Sequence, residues 1–215
     1  MFLSIKNIPK VSWSSDKPLN LKPKISTFFF LCFGLVLFGL GEGLLIVSAM
    51  GNSPWTVLAE GIHLDNGFSI GVITIFISIV VLLFWFPLSQ KPGIGTILNA
   101  LIIGLMIDIC VKFVPSPENY ISQLLLAITA VLTVGLGGGI YLAANLGPGP
   151  RDGLMIGLQK KTNLPIAAVR AFLEITVMSI GWYLGGTVGL GTILFAFGIG
   201  PAVALGLYVV RKVFN

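Results

Sequence analysis

Charge is scarce in this sequence. Its 215 residues include 13 Lys and Arg and 8 Asp and Glu, 10% in all, where a soluble domain carries about 25%. That shortage excludes an ordinary water-soluble domain. Histidine is almost missing as well. His63 alone cannot build a His-based metal site, and in an outer connection it cannot serve a nucleophile–base–orienter set. No metal, cofactor or catalytic residue is therefore expected, and the chain is not expected to be an enzyme. Cys32 and Cys110 lie in separate apolar runs and read as small hydrophobes, not as a disulfide framework. No basic patch interleaved with aromatics occurs, so no nucleic-acid partner is expected. The first 25 residues lack an apolar h-region and do not read as a signal peptide.

What the chain has instead is hydrophobic length. Apolar residues make up 55% of it, and the mean hydropathy is +0.98. Six apolar segments, at about 26–48, 68–88, 93–114, 121–145, 165–185 and 190–210, approach or exceed the ~20 residues that a bilayer demands. Two shorter stretches, Pro54–Leu64 and Pro150–Lys160, open with proline at a first helical position, where the missing N–H costs nothing. They are too short to cross and are expected to lie in the interface or to be re-entrant. Residues 1–25 form a basic tail, with Lys6, Lys10, Lys17, Lys22 and Lys24 against Asp16. The rest, 26–215, is one membrane domain. With the tail inside, Lys91, Arg151, Lys160, Lys161, Arg211 and Lys212 also fall inside, and only Lys112 falls outside, a positive-inside pattern. Both termini are expected on the cytoplasmic side of the cell membrane, where the tail can meet anionic lipid.

The two halves match each other at an offset of 96. Gly39-Leu40-Gly41-Glu42-Gly43 falls on Gly135-Leu136-Gly137-Gly138-Gly139, and Gly93-Ile94-Gly95-Thr96-Ile97-Leu98 falls on Gly189-Leu190-Gly191-Thr192-Ile193-Leu194. From 34 to 104, 21 of 71 positions are identical without a gap. The repeats run from about 26 to 114 and from about 121 to 212. Each holds three spans, an odd number, so the second must traverse the membrane upside down. The expected fold class is an all-α membrane protein of six transmembrane helices, arranged as two inverted three-helix repeats with two short interfacial or re-entrant helices. In such folds the solute site tends to lie between the halves, where helices are broken. The glycine runs, and the pair Ala100 and Gly104, are expected to bring helices close.

Ionisable residues inside spans are the candidate site residues, because burying a charge in hydrocarbon costs ~2.5–3.5 kcal/mol on insertion scales. Glu174 reads as the deepest, about nine residues or ~14 Å into its span. Arg170 lies one turn earlier on the same face and can pair with it. The first repeat carries Thr74 and Ser78 at those positions, so the charge pair belongs to one half only. Arg151 and Asp152 open the second short helix. Asp152 can offset the positive helix end, and Arg151 beside free N–H groups suits an anion. Glu42, among glycines, and Asn99 complete the set. Asp108 and Lys112, four apart, read as a structural pair, and Glu60, His63 and Asp65 as a solvated outer face.

Several segments are distinctive together. They are Leu146-Gly147-Pro148-Gly149-Pro150-Arg151-Asp152-Gly153-Leu154, Val169-Arg170 with Glu174, Gly181-Trp182, and Gly185-Gly186-Thr187-Val188-Gly189-Leu190-Gly191-Thr192. Pro54-Trp55 and Pro92-Gly93-Ile94-Gly95-Thr96 belong with them. Over about 30–210 the chain resembles the YczE/YyaS family of bacterial integral membrane proteins, and is distantly similar to the YitT group. The resemblance implies a multi-pass bacterial membrane protein and carries no substrate or reaction with it.

The expected function is a small secondary transporter or permease for an anionic or amphiphilic solute. Glu174 and Glu42 would be proton-linked carboxylates, and Arg151 and Arg170 would meet the anion. The alternative is a non-transporting accessory or scaffold protein regulating another complex; a membrane enzyme acting on lipid is a weaker third. The expected partners are the bilayer, the solute and a further copy of the chain.

Overall fold

In the computed structural model, residues 8–214 are described; Lys6 of the basic tail lies outside them. Eight α-helices follow in chain order: α1 (Ile25–Val47), α2 (Pro54–Asn66), α3 (Ile70–Leu83), α4 (Ile94–Phe113), α5 (Tyr120–Ala144), α6 (Pro150–Thr162), α7 (Ile166–Tyr183) and α8 (Leu190–Phe214). The 96-residue offset carries the start of α2 onto α6, α3 onto α7 and α4 onto α8 without a shift. Both short helices do begin at their prolines, and each ends on a left-handed residue, Gly67 (φ 70°) or Asn163 (φ 56°). These two are themselves 96 apart.

Five helices, α1, α4, α5, α7 and α8, are long and apolar enough to cross a membrane. The expected span at 68–88 is shorter than its apolar run. α3 has 14 residues, and the chain then turns through a 3-10 segment, Phe86–Leu88. Pro87 is the physical reason, since it removes a backbone donor and disfavours helix at the residue before it. α3 reaches spanning length only together with α2, across a bend of 115°.

α1 and α5 form the centre, packed against each other along their glycines. A Cβ at Gly34 would stand 2.7 Å from the Tyr141 nitrogen, and one at Gly41 would stand 2.7 Å from the Val134 nitrogen. Residue numbers rise on one helix as they fall on the other, so the two are antiparallel. α4 lies along α1 in the same direction, with Gly39 against Ile103 and Gly43 against Cys110. α8 lies along α5 in the same direction, with Gly135 against Ala202 and Gly139 against Gly206. Equivalent glycines therefore seat equivalent helices. Small residues let helices approach where no water is present to drive them together.

The halves also interlock. The Gly95 N–H donates to the Leu146 carbonyl at 2.8 Å, and the Gly191 N–H donates to the Met50 carbonyl at 2.6 Å; the two donors are 96 apart, and so are the two acceptors. Gly51 and Gly147, beside those carbonyls, have φ of 104° and 108°, a left-handed backbone that favours glycine. The Gly-x-Gly-Thr segments are thus reciprocal clasps. In each, the threonine hydroxyl accepts the N–H of the leading glycine, Gly93 or Gly189, at 3.1 and 3.2 Å.

The basic tail departs from expectation, for part of it is docked. Trp13, 4% exposed, stacks on Phe30 and meets the edge of Phe214. Its carbonyl accepts from Thr27 Oγ1 at 2.5 Å. Ser14 Oγ donates to the Ala143 carbonyl, and Asn145 Nδ2 donates to the Ser15 carbonyl. The segment ties α1, α5 and α8 together at one end of the bundle, while Lys10, Lys17, Lys22 and Lys24 remain exposed.

Candidate functional site

Each short helix turns its first residues into the bundle. After α1 the chain reverses, and Ser53 Oγ donates to Glu42 Oε2 at 2.7 Å, more than a turn back from the end of α1. Thr56 Oγ1 donates to the same oxygen at 2.7 Å. α6 enters from the other end. Thr96 Oγ1 donates to the Pro148 carbonyl at 2.7 Å, and Trp85 Nε1 to the Pro150 carbonyl at 2.9 Å. The two starts meet. The Arg151 guanidinium carbon stands 5.2 Å from the centre of the Trp55 ring, and these residues occupy equivalent positions in the two repeats. Neither helix start is capped by a side chain, so the N–H groups of Trp55, Thr56, Arg151 and Asp152 have no helical carbonyl to bond.

Between the starts lies a cavity of about 230 Å³, into whose wall Glu42, Asn99, Arg151, Asp152, Arg170 and Glu174 all contribute. The six residues singled out from the sequence thus come from four helices to one place. Equivalent positions face it in pairs: 42 with 138, 53 with 149, 55 with 151, 74 with 170, 78 with 174, and 103 with 199. The chemistry is unequal across these pairs. The second half supplies Arg151, Arg170 and Glu174 where the first has Trp55, Thr74 and Ser78.

The ion pair is present, with Arg170 Nε 2.8 Å from Glu174 Oε1. It is not the deepest group. The two side chains are 43% and 17% exposed, whereas Glu42 is 1% exposed. Counting residues from a span's edge missed this, because α7 lies at the periphery and α1 at the centre. Glu42 Oε2 takes both hydroxyls, and its buried Oε1 has no partner in the protein; neither has the Trp55 indole nitrogen. Burying such atoms unpaired costs about 1–3 kcal/mol each, and both residues line the cavity.

Tyr141 donates its hydroxyl to Asp152 Oδ2 in a very short hydrogen bond. Asp152 therefore binds a neighbouring helix, and does not cap its own. Nothing in the sequence marked Tyr141. Ser53, Thr56 and Trp55 were legible in principle, as they align with Gly149, Asp152 and Arg151. Asp108 does not pair with Lys112. It accepts from Ser69 Oγ at 2.5 Å and from the Gly71 N–H at 2.8 Å, holding the start of α3 on α4. Lys112 lies over Phe113 instead. Glu60 is no idle surface charge either. It accepts from Asn52 Nδ2 and from both the N–H and the hydroxyl of Thr187, joining α2 to the loop before α8.

The comparisons with known proteins fit this architecture. The sequence pattern of a family of unknown function, DUF6198, matches residues 25–206. The chain belongs to this family. An uncharacterised protein of Haemophilus influenzae (strain Rd) is 39% identical over 208 residues, 97% of this chain and 94% of that one. The uncharacterised membrane protein YczE of Bacillus subtilis is 34% identical, covering 79% of each chain. YyaS of the same organism is 26% identical over 78% of this chain and 85% of its own. No solved structure matches. The family resemblance read from the sequence therefore stands, and the protein is a multi-pass membrane protein. The DUF6198 match includes every residue of the cavity wall and leaves the docked segment before α1 outside.

Proposed function

We propose that this protein is a small secondary transporter of the cell membrane, and that the cavity between its halves holds an anionic or amphiphilic solute. The observation that carries this reading is the cavity's wall, to which equivalent positions of both repeats contribute around two uncapped helix starts. α1 and α4 running against α5 and α8 supports an inverted repeat, with α2 and α6 as re-entrant helices; so do the reciprocal clasps. Broken helices that aim N–H groups at the middle of a bundle are how many transporters meet an anionic group. Arg151 and Arg170 would add positive charge there. Glu42 and Glu174 would carry protons linked to the solute. The exposed lysines of the docked segment, with Lys160, Lys161, Arg211 and Lys212, support a cytoplasmic position for that end.

Alternating access tests this. In a chain whose Cys32 and Cys110 are replaced by alanine, cysteines at Asn99 and Ser78 should react with an impermeant thiol reagent from either face of the membrane. Reaction from neither face would leave no route through the protein. The accessory reading, in which it scaffolds another complex, would then be preferred.

A further inference from the structure

The repeats differ most where the third and fourth helices of each meet. In the first half α3 lies tightly on α4. A Cβ at Gly104 would stand 2.6 Å from the Gly71 carbonyl and 2.6 Å from Ile75 Cγ1, and Asp108 bonds the start of α3. In the second half, α7 and α8 make no comparable contact. Gly200, the equivalent of Gly104, is exposed and has nothing within 4 Å of a Cβ. It nevertheless lines the polar cavity, as do Arg170 and Glu174 across the gap on α7. The cavity therefore reaches the side of the bundle between α7 and α8. Both helices carry exposed apolar side chains, with Ile175 at 59% exposure on α7 and Phe197 at 80% on α8. A belt of this kind faces lipid, not water.

We propose that the occupant is a single-tailed amphiphile with an acidic head, entering sideways from the bilayer between α7 and α8. The head lies among Arg151 and the starts of α2 and α6. The tail leaves past Gly200 and stays among lipid chains. The Arg151 guanidinium and the uncapped starts of α2 and α6 fit an acidic head, although Glu42, Asp152 and Glu174 line the same wall, and the small cavity fits a head without its tail. Continuity between the polar cavity and the apolar opening fits both in one molecule. This rests on the transport reading above and narrows it to one class of solute.

The test uses purified full-length protein in a neutral maltoside detergent, with binding followed by thermal stabilisation. The probes are laurate and dodecyl phosphate, their heads alone as acetate and inorganic phosphate, and dodecyltrimethylammonium. Laurate or dodecyl phosphate should stabilise the protein, while the bare heads and the cationic amphiphile should not. Gly200→Trp fills open space, so it should keep the fold and weaken the acidic amphiphile at least tenfold. Arg151→Gln should weaken it by a similar factor. Acetate or phosphate binding as tightly as the tailed probes would overturn the sideways route and leave a water-borne anion, with the transport reading intact. Gly200→Trp converting a dimer to a monomer would make the gap an interface between copies, again overturning the proposal. Stabilisation by no probe overturns it too. The thiol-access experiment then decides separately whether the transport reading survives.

Discussion

Gly104 and Gly200 stand at one position of the repeat, so the same substitution at both should have opposite consequences. In a helix, alanine is favoured over glycine by about 1 kcal/mol. At Gly104 that gain meets two obstacles, the Gly71 carbonyl and Ile75 Cγ1, each 2.6 Å from the new Cβ. Separations this short force backbone to move, and overpacking of this kind costs about 1–3 kcal/mol. The Gly71 carbonyl belongs to a helix start that Asp108 already holds, so it cannot retreat freely. Gly104→Ala should therefore be destabilising by up to about 2 kcal/mol net. At Gly200 nothing lies within 4 Å. The remaining opposition is local, since Pro201 follows and a residue before proline resists helical backbone once it has a Cβ. That offsets part of the propensity gain, and Gly200→Ala should change stability by less than about 1 kcal/mol. Reversible unfolding in mixed micelles of sodium dodecyl sulfate and maltoside measures both. If the two variants lose stability equally, α7 packs on α8 as α3 packs on α4, and the reasoning about the opening collapses.

The orientation can be checked with single cysteines. At Lys91 and Lys160 they should react only from the cytoplasmic side, and at Asp65, Ser116 and Thr187 only from outside; Lys160 and Asp65 labelling from one side would refute the inverted arrangement. Glu174→Gln should cost less than about 1 kcal/mol, because the amide oxygen that replaces the carboxylate can still accept from Arg170 Nε. It should nonetheless weaken binding of the solute, and replacing both Arg170 and Glu174 with apolar residues should keep abundance but not activity if the pair serves the site. Glu60→Ala removes an acceptor shared by Asn52 and Thr187, and should cost about 1–3 kcal/mol. An unchanged unfolding midpoint for that variant would mean water replaces the link.

Much of the architecture was legible because membrane folding uses few rules. Proline at a helix start, glycine at helix contacts and a repeat in register are local facts, and the starts of α2 and α6 and the glycine contacts of α1 and α5 follow from them. The extent of α3 was not legible from hydropathy, since the apolar run continues through Phe84, Trp85 and Phe86 after the helix has ended. Trp85 is the instructive residue. It lies in that same apolar run, yet it is 2% exposed and bonds the Pro150 carbonyl across the halves, so its role exists only in three dimensions. Depth misled in a similar way at Glu174. Distance along a span measures height in the bilayer, while burial depends on how central the helix is.

The candidate site followed from a different kind of information. Polar residues within the spans and at the start of the second short helix gave six candidates, and the structure brings all six to one cavity. The sequence could not say what each would face there. Asp108 and Asp152 both sit beside a basic residue in the chain, Lys112 and Arg151, and both bond a neighbouring helix instead. Nearness in sequence is a weak guide in a bundle whose contacts are made between helices. The repeat is the stronger guide, because equivalent positions of the two halves line the same cavity. Trp55 and Arg151 are the case in point. They align at the offset of 96, they differ in chemistry, and they touch. A pair that aligns, differs and touches marks where a symmetric scaffold has been made asymmetric. The gap beside Gly200 is a second such break, and it opens from the same cavity. The two breaks together, not the charges alone, single out this end of α6 and the α7–α8 opening as the place to look for the ligand.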